Sequence, residues 1–221
     1  MRIFCDFDGT ISREDTTDLI LGRFADPAWE DVEAEWTAGA IDAAECMTRQ
    51  VRLIRAGLPA IEAALDEVTL RDGFVSFLDW ARRHGHAFGI VSDGVDCFIR
   101  HVLARHGIGN VPLFANRLVA DGPDRWRLEQ PWRAGGCTGG SGMCKCNVVD
   151  AFAGDRPFVF IGDGRSDFCV ATKPDILFAT SGLERFCTSQ AIAHQPFSGF
   201  AEIRDALERL AAPARKLAVF A

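Results

Sequence analysis

No stretch of this sequence is apolar over anything near the roughly 18 residues that a membrane-spanning helix needs, which predicts no membrane partner. It does not open with a charged segment followed by an apolar core of roughly 7 to 15 residues, so a signal peptide is not expected and a cytoplasmic location is. Positive charge is in deficit. Lysines and arginines number 24 against 31 acidic residues, for a formal net charge of −7. Proteins that grip a phosphate backbone carry basic stripes that replace counterions, and this balance argues against nucleic acid as a partner. Repeats, linkers and low-complexity segments are missing as well. What remains is a chain of 221 residues, 48% of them hydrophobic, enough to fill one large domain or a domain carrying an insert.

Eight cysteines would suggest disulfides only in an exported protein, so here they are expected to be reduced. Cys5, Cys46, Cys97, Cys169 and Cys187 lie in apolar or helical surroundings and read as small core residues. Cys137, Cys144 and Cys146 instead crowd one Gly-rich loop. Three soft ligands fall short of the four of a structural zinc site, which favours packing or a reversible thiol pair.

The first segment, MRIFC, has the composition of a buried strand. From Asp15 to about Leu70 the pattern is helical throughout: TTDLILGRF, then PAWEDVEAEW, then a helix from the cap Asp42 to a stop at Gly57, then PAIEAALDEV. After Gly73 helices alternate with strands. FVSFLDWARRHG, VDCFIRHVLARHG, KCNVVDAFAG and SDFCVATK read as helices, and HAFGIVSDG, PFVFIGDG and ILFAT as strands. LFANRLVADGPDRWRLEQ reads as a hairpin, and further helices begin at Leu183 and Ser198. Alternation of this kind predicts an α/β fold, a parallel sheet covered on both faces. The first strand belongs to that sheet, so residues 13–72 form a helical insertion above its carboxyl edge, and 1–12 with 73–221 form the core.

Three strands end alike, in CDFDGT, IVSDG and FIGDGRSD. Parallel strands bring their carboxyl ends to one edge, where Asp6, Asp8, Ser92, Asp93, Asp163 and Asp167 are expected to meet. So many carboxylates do not stay ionised together without a cation, and a hard, oxygen-preferring ion such as Mg²⁺ resolves the conflict. A carboxylate can attack phosphorus to give an aspartyl-phosphate, and Asp6 is placed as that nucleophile. Asp8, two residues on, suits the general acid and base. Ser92, the Gly94 amide and Lys145 are expected to support charge on the phosphoryl oxygens. Asp15 and Asp93 read either as helix caps or as groups facing the substrate. Arg49, Arg52 and Arg55, three apart, read as a solvated helix face.

These motifs together resemble the haloacid dehalogenase superfamily: DxDGT at Asp6 to Thr10, a strand-end Ser at Ser92, a Lys at Lys145, and GDxxxD through Asp163 and Asp167. The resemblance implies a Rossmann-like three-layer core with a helical cap inserted after the first motif. It also implies Asp6 as nucleophile, Asp8 as acid/base with its backbone carbonyl on Mg²⁺, Asp163 as metal ligand and Asp167 supporting the metal shell. The second Asp of DxD, absent from the dehalogenases themselves, points to phosphoryl chemistry. FADPAW at 24–29 and CTGGSGMCKC at 137–146 are similar to the methionine-salvage phosphatase branch, while SDG at 92 and GDGRSDFC at 162 are similar to phosphoethanolamine and phosphocholine phosphatases. Phosphoserine phosphatases carry a cap Arg that aligns with Thr48 and a Gly where Asp93 stands. The expected function is therefore a Mg²⁺-dependent phosphatase acting on a small, uncharged or cationic phosphorylated metabolite, with Asp15, Asp93 and Trp36 as candidate discriminators. A phosphotransferase or phosphomutase using the same Asp6 intermediate, and a noncatalytic phosphate sensor, are the alternatives.

Overall fold

The computed structural model describes residues 1–136, 139–154 and 157–211. Among these a seven-stranded sheet runs in the order β4-β3-β2-β1-β5-β6-β7. The strands are β1 (Arg2–Cys5), β2 (Ala87–Val95), β3 (Leu113–Ala120), β4 (Trp126–Glu129), β5 (Phe158–Gly162), β6 (Ile176–Ala179) and β7 (Gln195–Pro196). All neighbouring strands pair in parallel except β3 and β4, the expected hairpin. β1 is central, with Cys5 opposite Ile90 on one side and Ile161 on the other. The strand order therefore reverses at β1, and the crevice beyond its carboxyl end is where open sheets of this kind take ligands.

Alternate residues of each strand serve two cores. Ile3, Cys5, Ile90, Val159 and Ile161 face one, filled by α5 (Phe74–Arg83), α6 (Asp96–Arg105) and α9 (Phe200–Ala211). Phe4, Val91 and Phe160 face the other, against α7 (Lys145–Ala153) and α8 (Ser181–Ser189). Burial on both faces is why these strands read as continuous apolar runs.

Between β1 and α5 lie α1 (Thr16–Phe24), α2 (Trp29–Thr37), α3 (Ala43–Val51) and α4 (Leu58–Leu65). The two crossings into this insert run side by side: Arg13 N donates to Thr69 O at 2.9 Å and Arg71 N to Ile11 O at 2.7 Å. Asp15 caps α1 and Asp42 caps α3. No helix among the described residues is long and apolar enough to cross a membrane.

The structure departs from the sequence reading in three places. The helix expected to reach Gly57 ends at Val51, because Ile54 leaves it to bridge Ala25 and Arg55 N donates to Phe24 O. Arg49, Arg52 and Arg55 consequently share no helix face, and Arg49 instead pairs with Glu35 at 2.6 Å. The helix expected after Gly164 is a single 3₁₀ turn, Arg165–Asp167, tightened by the Asp167 side chain. The short strand β7 was not legible, having only two residues.

Candidate active site

The floor of the crevice is built by strand ends. One residue past the β1 ladder, Asp6 N donates to Ile161 O at 2.9 Å, and Asp6 is 4% exposed. Its Oδ1 accepts from Phe7 N at 2.7 Å, and its Oδ2 lies 2.6 Å from Lys145 Nζ. Lys145 opens α7 and is fully buried, its ammonium also 2.5 Å from Asp167 Oδ1 and 2.9 Å from Ser166 Oγ. Burial alone would lower the Lys145 pKa, but Asp167 and Asp6 hold it above its ordinary value. Burial foremost, and then Asp167, push the Asp6 carboxyl well up, with Lys145 opposing them.

Asp167 bonds through both of its carboxyl oxygens. Besides Lys145 it accepts from the amides of Asp163 at 3.0 Å and Gly164 at 3.1 Å, so it fixes both the ammonium and the loop presenting Asp163. Asp163 accepts from Thr10 Oγ1 at 2.9 Å. Burial, then Asp167, push its carboxyl up to about 6. Gly9 faces it at φ +72°, and a Cβ there would stand 2.4 Å from Asp163 Oδ2, so the first motif needs glycine at this turn.

Asp6, Asp163 and Asp167 each offer a carboxylate oxygen, and those atoms lie within 4.8 Å of one another. One ammonium against three carboxylates leaves the cluster short of positive charge. An all-oxygen donor set of this kind fits a hard divalent cation. The Asp8 side chain stands outside it. Asp8 Oδ1 accepts from Thr16 N at 2.8 Å and Thr16 Oγ1 at 2.7 Å, while Oδ2 is buried with no partner among the described residues. Burial, and next Asp15, push this carboxyl up to about 8, against the bonds from Thr16.

The second motif lies at an irregularity in the sheet, where the β2–β3 register shifts between Val91 and Val95. Ser92 is buried, and its Oγ accepts from Gly94 N at 3.0 Å. A Cβ at Gly94 would sit 2.3 Å from Asp8 Oδ2, so glycine is what admits the Asp8 carboxyl. Asp93 neither caps a helix nor presents a free carboxylate. Its Oδ2 lies 2.5 Å from Ser141 Oγ, and its Oδ1 accepts from Met143 N at 2.9 Å and Asn116 Nδ2 at 3.1 Å, pinning the loop before α7. Asp15 Oδ1 accepts from the amides of Thr17 and Asp18, both at 2.9 Å, which makes Asp15 the α1 cap.

Cys144 is buried directly before Lys145 and Cys146 directly follows it; Cys137 lies outside the described residues.

Floor and insert enclose a cavity of about 260 Å³, lined below by Asp6, Asp8, Ser92 and Asp163 and above by Thr17, Asp18, Glu33, Trp36 and Gln50. Asp15 and Asp93 also border it. At the rim the guanidinium of Arg165 stacks 4.9 Å over the Trp36 ring, joining core to insert. Several contributors escaped the sequence reading. Thr16 holds Asp8, Ser166 helps hold Lys145, and Arg71 donates to the carbonyls of Gly9 and Thr10 from 61 positions downstream of Thr10. Thr10 was legible as part of DGT but carried no assigned role.

Comparison with known proteins gives a consistent picture. The model of the haloacid dehalogenase-like hydrolase family matches residues 3–172. The 2-hydroxy-3-keto-5-methylthiopentenyl-1-phosphate phosphatase of Geobacillus thermodenitrificans is 31% identical, covering 94% of this chain and 96% of its own. The enzyme of the same name from Brevibacillus brevis is 29% identical over 94% and 95%. A solved phospho-aspartyl intermediate analogue of phosphoserine phosphatase superposes with a TM-score of 0.69 at 19% identity, covering 93% of this chain and 97% of that one.

Proposed function

This chain belongs to the haloacid dehalogenase-like hydrolase family and is a phosphoric monoester hydrolase, and from that premise we propose that it cleaves a small phosphorylated metabolite through an aspartyl-phosphate on Asp6. The observation that carries the reading is the floor itself: Asp6 held 2.6 Å from a fully buried Lys145, with Asp8 two residues on keeping one carboxyl oxygen without a partner among the described residues. In this reading residues 13–72 act as a cap over a core formed by 1–12 and 73–221.

The chemistry divides among these groups. A carboxylate oxygen of Asp6 attacks phosphorus as the bond to the leaving oxygen breaks. Asp8, its Oδ1 tied to Thr16, carries the proton on Oδ2 and gives it to that oxygen. Asp8 then takes a proton from water, which attacks the phosphoryl group and frees Asp6 as a carboxylate. Lys145 and the Ser92 hydroxyl stabilise the negative charge spread over the phosphoryl oxygens, and the Gly94 amide holds Ser92 in place. Mg²⁺, which Asp6, Asp163 and Asp167 would hold together with the main-chain carbonyl of Asp8, supplies the positive charge that lets a phosphate dianion enter an acidic site.

For the substrate, the methionine-salvage enol phosphate ranks first, supported by the curated relatives above. Phosphoethanolamine or phosphocholine follows. Phosphoserine ranks third: no lysine or arginine of the insert borders the cavity, and the Thr48 hydroxyl donates to Ala44 O at 2.7 Å rather than serving a carboxylate. Phosphate release from these monoesters, with Mg²⁺ and no acceptor alcohol, tests the reading. Turnover that disappears on chelation and returns with Mg²⁺ is expected. Full activity after exhaustive chelation, or no phosphate from any monoester, contradicts it.

A further inference from the structure

Of the expected discriminators, Asp93 spends both carboxylate oxygens on Asn116 and the Ser141 loop, and Asp15 gives its Oδ1 to the two amides that open α1. Another part of the cavity wall is built differently. Glu33 on α2 is fixed by Gln50 on α3, whose Nε2 donates to Glu33 Oε2 at 2.9 Å, and Cys46 Sγ lies 3.7 Å from the same oxygen. Both contacts fall on Oε2, and Gln50 is 5% exposed, so the carboxylate is oriented by a buried amide. Lining the same cavity from α1, Thr17 is 6% exposed and its hydroxyl is buried without a partner among the described residues. A buried unpaired hydroxyl is a standing cost unless something else satisfies it. Asp18 borders the same space, its carboxyl pushed up to about 6 by desolvation and then by Asp15 and Glu33. Acceptors and negative charge are crowded on this wall. Arg165 of the core also lines the cavity, its guanidinium spent on the ring of Trp36, three residues from Glu33 on α2.

We propose that Glu33 and Thr17 form a specificity subsite that reads a hydrogen-bond donor, an ammonium or a hydroxyl, on the alcohol half of the substrate, with Gln50 as the positioning residue. The proposal rests on the phosphatase reading above. A donor satisfies both the oriented carboxylate and the unpaired hydroxyl, whereas a carboxylate on the substrate meets like charge there.

The test compares kcat/KM for ethanolamine phosphate, glycerol phosphate, propyl phosphate and O-phosphoserine in the Mg²⁺-loaded full chain. p-Nitrophenyl phosphate reports the chemistry itself. Wild type should favour a donor-bearing ester over propyl phosphate. Glu33→Leu should shrink that preference about tenfold, through KM with kcat largely held. Glu33→Gln keeps an acceptor and loses the charge: a matching loss marks an ammonium, and a smaller loss marks a hydroxyl. Thr17→Val should lower the same preference about threefold without lowering Tm, since a hydroxyl with no partner among the described residues contributes no native bond there. Asp31→Asn, on the same helix but away from the cavity, should leave every ratio unchanged. Ratios indifferent to both Glu33 variants, or a wild-type preference for O-phosphoserine drawn by Arg165, overturn the subsite. No hydrolysis of p-nitrophenyl phosphate or any other ester by wild type overturns the phosphatase reading instead.

Discussion

The floor and the insert wall of the same cavity are both acidic, but they handle charge differently. On the floor Asp6, Lys145 and Asp167 are 4%, 0% and 0% exposed, and the ammonium lies within 2.6 Å of both carboxylates. On the wall Glu33 and Asp18 have no ammonium or guanidinium among the cavity-lining residues of the insert, and a neutral amide does the orienting. Charges that deep persist only when paired, so the floor is a fixed array that any phosphomonoester meets. The wall leaves its electrostatic demand to the substrate. In the proposed reading the shared reaction belongs to the strand ends, and the choice of substrate to the helices above them.

The comparison breaks most sharply at Asp6. Asp6→Asn is nearly isosteric yet has no carboxylate to attack phosphorus, and kcat should fall by at least about 10⁴-fold while thermal unfolding stays close to wild type. A variant that kept its kcat would remove the floor from the chemistry. Lys145→Met should be the most damaging change to stability, about 3–5 kcal/mol in urea unfolding, because it leaves Asp6 and Asp167 buried beside each other without their cation. A loss of turnover at unchanged stability would show that the ammonium serves only the substrate.

Asp93→Asn tests a point between floor and wall. It should cost about 1–3 kcal/mol and raise KM, since Ser141 Oγ and Met143 N would face a weaker and partly mismatched acceptor. Equal stability with altered substrate preference would return Asp93 to the role of discriminator. Smallest is Arg165→Ala, which removes the cation–π contact with Trp36 at the rim and should cost about 0.5–1 kcal/mol, with KM rising a few-fold.

The same division explains what the sequence could reveal. The floor was legible because Asp6 and Asp163 follow their strands directly and Ser92 lies near the end of its own, so CDFDGT, IVSDG and FIGDGRSD carry position and chemistry together. Parallel pairing then assembles them without further information. What holds them was hidden. Asp93 meets Ser141 and Met143 48 and 50 positions away, and Arg71 reaches Thr10 across 61. No local pattern marks either. The wall depends on how α2 packs against α3, and the Gln50–Glu33 bond spans 17 residues across an interhelical contact. The early end of α3 had the same origin, a backbone bond from Arg55 to Phe24 outweighing a sequence that continues to read as helix.

The proposed reaction requires that phosphate pass through Asp6. Rapid acid quench during turnover of a monoester carrying radiolabelled phosphate, followed by reduction with tritiated borohydride and peptide sequencing, locates any acyl phosphate. Label is expected at position 6 alone, formed before product release and lost on chasing with unlabelled substrate. Turnover with no trapped label, or label at Asp8 or Ser92 in place of Asp6, would contradict it.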